Sequence, residues 1–578
     1  MRGLARGFGA ISLVGSFLTE FADCHGFERR YCAAHRLAER GRPAAGLVDV
    51  SRMIFGRIKP LDAILATAEK KSLHRSLGPI QLTLLGVGAI IGTGIFVLTA
   101  EAAQKAGPGM MWSFVIAALV CGVAALCYSE IASMVPVSGS AYTYTYAVMG
   151  ELLAWMVGWA LILEYAVAAS AVSVGWSGYF VGLLANAGII LPTALTVGPY
   201  APGGLINLPA LVIALLVTLL LMVGTRESAR VNAVLVAIKV AALTMFIFLT
   251  IPMMRGEHFE PFLPNGWFGS ERGFGAVGAA ASIFFAYVGF DAVSTAAEET
   301  RDPQKNVPIG LIGSLGICTV FYLLVAAGAI GSVGAQPVTG IDGSLLAPGS
   351  TQFAERCQSL VAMGSEPLVC SREALAHVLR QVGHPALGNF IGLAAFLALP
   401  SVILIMLFGQ TRIFFVMARD GLLPEKLATI HPKWRTPHIV TMITGVAVSI
   451  FAAFLPVGQL ADISNSGTLF AFFMVALAVM ILRRTQPQRH RPFRTPLVWV
   501  VAPLAILGTL GLYWNLPFDA KMVLPVWGAA GLVVYFLYGY RKSHVGRGII
   551  DVHEDDADAP PHPVPPMPGA PTPGGKNA

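Results

Sequence analysis

Three ionisable side chains stand inside apolar runs that have no ordinary use for charge. Glu164 lies in Leu161-Ile-Leu-Glu-Tyr165, Lys239 in Ala237-Ile-Lys-Val240, and Asp291 closes Phe284-Phe-Ala-Tyr-Val-Gly-Phe-Asp291. Ionised groups in hydrocarbon must be paired, wetted or neutralised, so each marks a site by default. Their shared chemistry is proton exchange. Lys239 sits about ten residues into its run, roughly 15 Å from either surface and beyond the reach of snorkelling. Burial lowers a lysine's affinity for its proton, so Lys239 can release and recover one; equally, it can serve as a fixed strut bonded to backbone carbonyls. Glu164 can hold a cationic group, relay a proton or make a structural hydrogen bond. Asp291 has the same choices, and its side chain can also cap a helix that starts there. Glu130, near the end of its run, reads as an interfacial acid.

Such groups need a polar surface at mid-membrane depth, and two stretches can supply it. In Leu85-Gly-Val-Gly-Ala-Ile-Ile-Gly-Thr-Gly-Ile-Phe96, four glycines fall within nine residues. Each costs a helix interior about 1 kcal/mol relative to alanine. Either the backbone opens here and lines a cavity with its own N–H and C=O groups, or Gly88 and Gly92 serve close helix packing as a Gly-x-x-x-Gly step. A second interruption, around Gly289 and Asp291, lies five spans later. Five crossings reverse direction, so the two breaks would open two inverted halves, the sequence pointer to a transporter's binding site.

Composition sets the class. The chain has 578 residues, 55% hydrophobic and 12% charged, with a formal net charge of +7. A soluble domain carries about 25% charged residues, so this is an all-α, polytopic membrane protein. Its positive charge lies in short segments between spans, which argues for topology and against a nucleic-acid partner. The sequence contains no phosphate-binding loop, zinc helix or nucleophile elbow. No enzyme, nucleotide site, metal or cofactor is therefore expected.

Apolar runs define twelve transmembrane helices: 79–105 (broken), 111–134, 151–184, 207–225, 229–253, 274–297 (broken), 308–333, 386–412, 438–455, 464–482, 497–514 and 522–540. Lys and Arg concentrate on the side that holds both termini, which places both ends in the cytoplasm. Residues 1–52 read as a dispensable extension or a mis-assigned start, and 53–78 as a cytoplasmic segment. A first five-helix repeat spans 79–253 and a second 274–482, the latter containing an extracytoplasmic loop at 334–385. Peripheral helices occupy 497–540, and 541–578 form a Pro-rich tail expected to be disordered. The cluster from Arg412 to Arg435 reads as a solvated topology anchor. Cys357 and Cys370, in the outer loop, have the choice of a disulfide or free thiols.

Three ordered stretches, Gly86–Phe96, Phe285–Asp291 with Ala297-Glu-Glu-Thr-Arg-Asp-Pro303, and Gly409-Gln-Thr-Arg-Ile413, resemble the amino acid–polyamine–organocation transporters. The likeness is greatest to the cationic amino acid transporter branch and its bacterial relatives, over about residues 54–540. It implies a leucine-transporter-type fold, a 5+5 inverted repeat with helices 1 and 6 broken. The implied activity is secondary transport of L-amino acids, cationic or small neutral, across the inner membrane by alternating access. The substrate carboxylate would meet N–H groups around Gly92, Thr93 and Gly94; its ammonium would meet carbonyls of Ile90, Phe285, Ala286 and Val288. Phe285 would gate the site and Glu164 would line it. Lys239 matches the lysine that replaces sodium in proton-coupled members, so Lys239, Glu164 and Asp291 are the proton-coupling candidates. The implied partners are substrate, proton and lipid bilayer, and a small membrane accessory subunit is compatible with the pattern. Exchange of amino acids or polyamines is the alternative to proton symport.

Overall fold

The computed structural model describes residues 57–59, 61, 77–137, 139–224, 229–297, 300–434 and 436–547. The extension 1–52, most of 53–78, the acids Glu298 and Glu299, and the tail beyond 547 lie outside the described residues.

Among the described residues the fold is all-helical, with two isolated bridges, Leu77 to Thr300 and Thr339 to Leu345, in place of any sheet. The first half comprises α1 (Pro79–Ile90), α2 (Leu98–Ala106), α3 (Met110–Met134), α4 (Ser140–Met149), α5 (Glu151–Asn186), α6 (Leu208–Val223) and α7 (Ala229–Thr250). The second comprises α8 (Gly275–Ile283), α9 (Ala292–Thr295), α10 (Pro303–Val333), α11 (Thr351–Ala362), α12 (Ala374–Gln381), α13 (Pro385–Arg419), α14 (His438–Phe454) and α15 (Val457–Thr485). Two further helices, α16 (Val498–Asn515) and α17 (Phe518–Val534), follow. Among the described residues nine helical stretches are long and apolar enough to cross a membrane, and α1, α6 and α14 are shorter apolar helices.

The apolar runs become helices because backbone polar groups in hydrocarbon must be satisfied within the segment. Helix α5 is the axis of the molecule and packs on α13 and α15. Small residues permit that approach. Ala166, Ala168, Ala169, Ala171 and Gly175 are buried along α5, and a Cβ on Gly409 of α13 would lie 3.3 Å from the Tyr165 ring. Helix α3 packs on α8 and α10, and α1 on α10, so both broken segments lie within the bundle.

Three local readings change. Helix α15 starts at Val457, well before the expected 464, because hydropathy trimmed the helix at Asp462, which is buried in an ion pair. Residues 541–547, grouped with the tail on composition, fold back on the bundle. There the Ser543 hydroxyl donates to Glu151 and the His544 N–H to the Asp420 carbonyl at 3.1 Å. Asp420, expected in a solvated cluster, is buried; it accepts Lys59 Nζ at 2.9 Å and the Tyr142 hydroxyl at 2.8 Å.

In the 334–385 loop, Cys357 and Cys370 form a disulfide. Around Cys370 the chain dips inward, burying Leu368, Val369 and most of α12. Arg372 donates to the Thr196 carbonyl at 3.0 Å, and burial pulls its guanidinium down to about 10. Gln104 fastens the loop to α2, donating to the carbonyls of Val338 and Leu346 at 2.7 and 3.0 Å.

Candidate functional site

Helix α1 ends at Ile90. Gly92 is extended (φ −147°, ψ −147°), one turn forms over Thr93–Phe96, and α2 resumes at Leu98. Residues 89–98 are all buried. The glycine-rich stretch is thus an open backbone, and the opening leaves peptide groups without helical partners.

Side chains from three other crossings meet those groups. Lys239 Nζ on α7 donates to the Gly88 carbonyl at 2.8 Å. The Tyr322 hydroxyl on α10 lies 2.8 Å from the Ile90 carbonyl and 2.9 Å from that of Ala286. The Tyr179 hydroxyl on α5 donates to the Phe96 carbonyl at 2.7 Å. The N–H groups that open the Thr93–Phe96 turn point at the break, where the positive end of a helix favours an anion. Thr93 Oγ1 is buried there with no hydrogen-bond partner.

The second interruption mirrors the first. Helix α8 ends at Ile283, a tight turn covers Phe284–Tyr287, and Gly289 takes φ +112°, a conformation that L side chains rarely adopt. The two breaks touch. A Cβ on Gly94 would lie 2.3 Å from Ala286 Cα, and one on Gly289 would lie 3.1 Å from the Ala89 carbonyl. Ile90, Gly92, Thr93, Gly94, Phe285, Ala286 and Val288 therefore gather around one pair of unwound segments, all of them buried.

The acids sit on α5 and at the second break. Asp291 Oδ2 accepts the Tyr165 hydroxyl at 3.0 Å, and its Oδ1 has no hydrogen-bond partner. Glu164 is 1% exposed, and neither carboxylate oxygen has a hydrogen-bond partner. It lies against Gly467 of α15, where an added Cβ would come within 3.2 Å of its own Cβ. A buried acid without bonds is costly unless it holds a proton or faces water or a cation.

Sequence reasoning missed a second polar cluster, between α2, α8 and α15. Lys105 of α2 donates to Ser282 Oγ of α8 at 2.5 Å and to Asp462 Oδ2 of α15 at 2.9 Å. Glu101, one turn earlier, crowds Gly458 so closely that a Cβ there would fall within 2.5 Å of the carboxylate. Asn465 Nδ2 donates to the carbonyls of Ala281 and Ser282, satisfying the end of α8 at 2.8 and 2.9 Å. The Lys105–Asp462 pair and Asn465 thus tie α2 and α8 of the two broken segments to α15. The signal was present: Asp462 sits in an otherwise helix-compatible run, but which residue it meets depends on the packing.

Removing one partner of such a pair leaves a buried charge. Lys105→Met is expected to destabilise the protein by about 3–5 kcal/mol. Asp462→Asn added to Lys105→Met should recover part of that loss. Thermal midpoints of the purified variants check this, and additive losses would refute the pairing.

Glu130, near the end of α3, is buried within the protein at 1% exposure. Arg483 Nε and Nη2 grip its two oxygens at 2.7 and 2.8 Å, and the Thr495 N–H donates at 2.8 Å.

Among the described residues no group of three or more His, Cys, Asp or Glu side chains is arranged to hold a metal. The family model described as amino acid permease matches residues 77–538. The branched-chain amino acid permease BcaP of Bacillus subtilis (strain 168) is 44% identical over 497 residues, 86% of this chain and 99% of the relative. The methylthioribose transporter of the same organism is 40% identical over 493 residues, covering 85% and 99%. Cationic amino acid transporter 2, vacuolar, of Arabidopsis thaliana is 34% identical over 445 residues, 75% of this chain and 64% of the relative.

Proposed function

The chain belongs to the amino acid permease family, and we propose that it is a proton-coupled, sodium-independent secondary transporter of L-amino acids in the bacterial inner membrane. The observation that carries this reading is the contact between two unwound segments, each interrupting an apolar helical run and leaving peptide groups without helical partners. The α-carboxylate would be held by the N–H groups of Thr93 and Gly94, the α-ammonium by the carbonyls of Ile90, Phe285, Ala286 and Val288. Tyr322 supports this division of labour. Its single hydroxyl hydrogen can serve the Ile90 or the Ala286 carbonyl at one time, leaving the other to accept from an ammonium.

Coupling would run through Lys239, Glu164 and Asp291. An ammonium at the Gly88 carbonyl already stands where a sodium ion would need backbone oxygens, and a second cation there is repelled. Glu164 would take up a proton together with the substrate or pair with a cationic side chain. Phe285, 6% exposed, would close over the site. The architecture we propose is twelve crossings, with inverted repeats at 79–253 and 274–482 and both termini cytoplasmic. The disulfide in the 334–385 loop is consistent with that loop facing an oxidising compartment.

As for substrates, the similarity to a branched-chain permease over nearly its whole length supports neutral aliphatic amino acids, and similarity to the cationic branch supports arginine or lysine. Uptake of radiolabelled leucine, alanine and arginine into proteoliposomes tests both. An inward proton gradient is expected to drive accumulation of at least one of them. Stimulation by sodium alone would overturn the coupling, and dependence on amino acid trapped inside would identify an obligate exchanger instead.

A further inference from the structure

Between α15 and α16 the chain reads Arg483-Arg-Thr-Gln-Pro-Gln-Arg-His-Arg-Pro-Phe-Arg-Thr-Pro496, five arginines and a histidine without one carboxylate. A topology signal needs only the charges. This loop is built. Arg491, 5% exposed, points inward and donates to the carbonyls of Leu482, Gln486, Pro487 and Arg489 at 2.7–3.1 Å, winding the loop around its own guanidinium. Arg483 and Arg491 both reach Glu130, so one carboxylate serves two cations. The Phe493 N–H donates to Ser133 Oγ at 3.3 Å, and the Thr495 hydroxyl to the Leu126 carbonyl at 2.9 Å, which seats the loop on the end of α3.

That winding leaves Arg489 half-buried against Gln486 and three other basic side chains turned outward. Arg484, His490 and Arg494 are exposed, and neither Arg484 nor Arg494 has an ion pair among the described residues. Arg484 lies over the ring of Trp499, 5.2 Å from its centroid. Directly beyond stands an apolar surface: Leu497, Trp499 and Val500 are 78%, 50% and 54% exposed. A held cationic rim above a bare aromatic and aliphatic face matches a molecule with an anionic head and a hydrocarbon tail.

We propose that this loop is a binding site for the headgroup of an anionic phospholipid, with the phosphate between Arg484 and Arg494 and an acyl chain along Trp499 and Val500. A free phosphate would satisfy the arginines but leave the apolar face unused. Because Arg483 is tied to Glu130, a bound headgroup would brace the inner ends of α3 and α15 against each other. From the reading above, the proposal takes only that the helices are inserted in a bilayer with this loop at its surface.

The test uses the full-length protein in lipid nanodiscs. The Trp499 signal is isolated by subtracting the emission of Trp499→Phe from that of the unsubstituted protein. Brominated phosphatidylglycerol is expected to quench it roughly fivefold more effectively than brominated phosphatidylcholine at equal fraction, the factor that one interfacial arginine contributes. Arg484→Gln with Arg494→Gln should bring that ratio toward one, and inorganic phosphate at constant ionic strength should leave it unchanged. Equal quenching by the two lipids, a ratio indifferent to the arginines, or its loss to phosphate would each overturn the proposal. Uptake fails or succeeds independently of this ratio, so failure of the transport reading is distinguishable.

Discussion

Gly94→Ala is expected to abolish uptake while leaving the protein inserted in the membrane. The added methyl carbon would stand 2.3 Å from Ala286 Cα and 2.5 Å from Ala286 Cβ, far inside van der Waals contact. Both obstacles belong to a short residue on unwound backbone, so no side chain can swing away. The two broken segments must separate by about 1 Å or more. Overpacking of this kind costs about 1–3 kcal/mol in a well-packed core. Here the cost falls on the contact that lets one Tyr322 hydroxyl reach the carbonyls of both Ile90 and Ala286. A displacement of 1 Å in a binding constellation is sufficient to lose about a hundredfold in rate. Gly122→Ala on α3 supplies the control, since a Cβ there meets nothing within 4 Å and replaces a poor helix former with the best one. Radiotracer flux and thermal midpoints of both variants check the expectation. Undiminished uptake by Gly94→Ala would mean that the two breaks need not touch for transport.

The second large effect is expected at Lys239. Its ammonium donates to the Gly88 carbonyl, one turn before the break, so it both supports the opened backbone and carries a titratable charge. Lys239→Met keeps the length of the side chain and removes the donor. The loss of a charged hydrogen bond, about 1.5–3 kcal/mol, corresponds to roughly tenfold to a hundredfold in binding or rate. The two roles separate by measurement. If Lys239 takes part in coupling, the variant loses acceleration by an inward proton gradient and retains exchange of internal for external substrate. Were it only a strut, exchange and gradient-driven uptake would fall together with the thermal midpoint. Gradient-driven uptake at the original rate would remove Lys239 from the mechanism altogether.

Much of this was readable along the chain because its causes are local. Glycine cost is a property of single residues, so the stretch between Gly86 and Phe96 and the one at Gly289 could be located as candidate openings from the positions of their glycines. Hydropathy and charge asymmetry are sums over neighbours, and the helices fall where those sums put them. The same locality fell short at three positions. Asp462 was treated as a reason to shorten a helix, Asp420 as part of a solvated cluster, and Glu130 was placed at a span end with no partner named; each is buried. Charge inside a hydrophobic run is costly only until a partner arrives, and the partners Lys105, Arg483 and Lys59 come from elements 357, 353 and 361 residues away.

The sequence by itself therefore determined the membrane class, the helical runs, the two breaks and the residues at them, since each follows from the chemistry of a residue and its immediate neighbours. Tertiary structure alone decided which side chains serve the opened backbone. Tyr322 and Tyr179 are unremarkable in their own helices, and they become part of the site because α10 and α5 face the breaks; Lys239 stood out in the sequence, but that it meets the Gly88 carbonyl depends on the packing of α7. It also decided that Lys105, Ser282 and Asp462 meet. A hydrogen bond depends on a distance of about 3 Å between groups, and that distance exists only after the helices have packed.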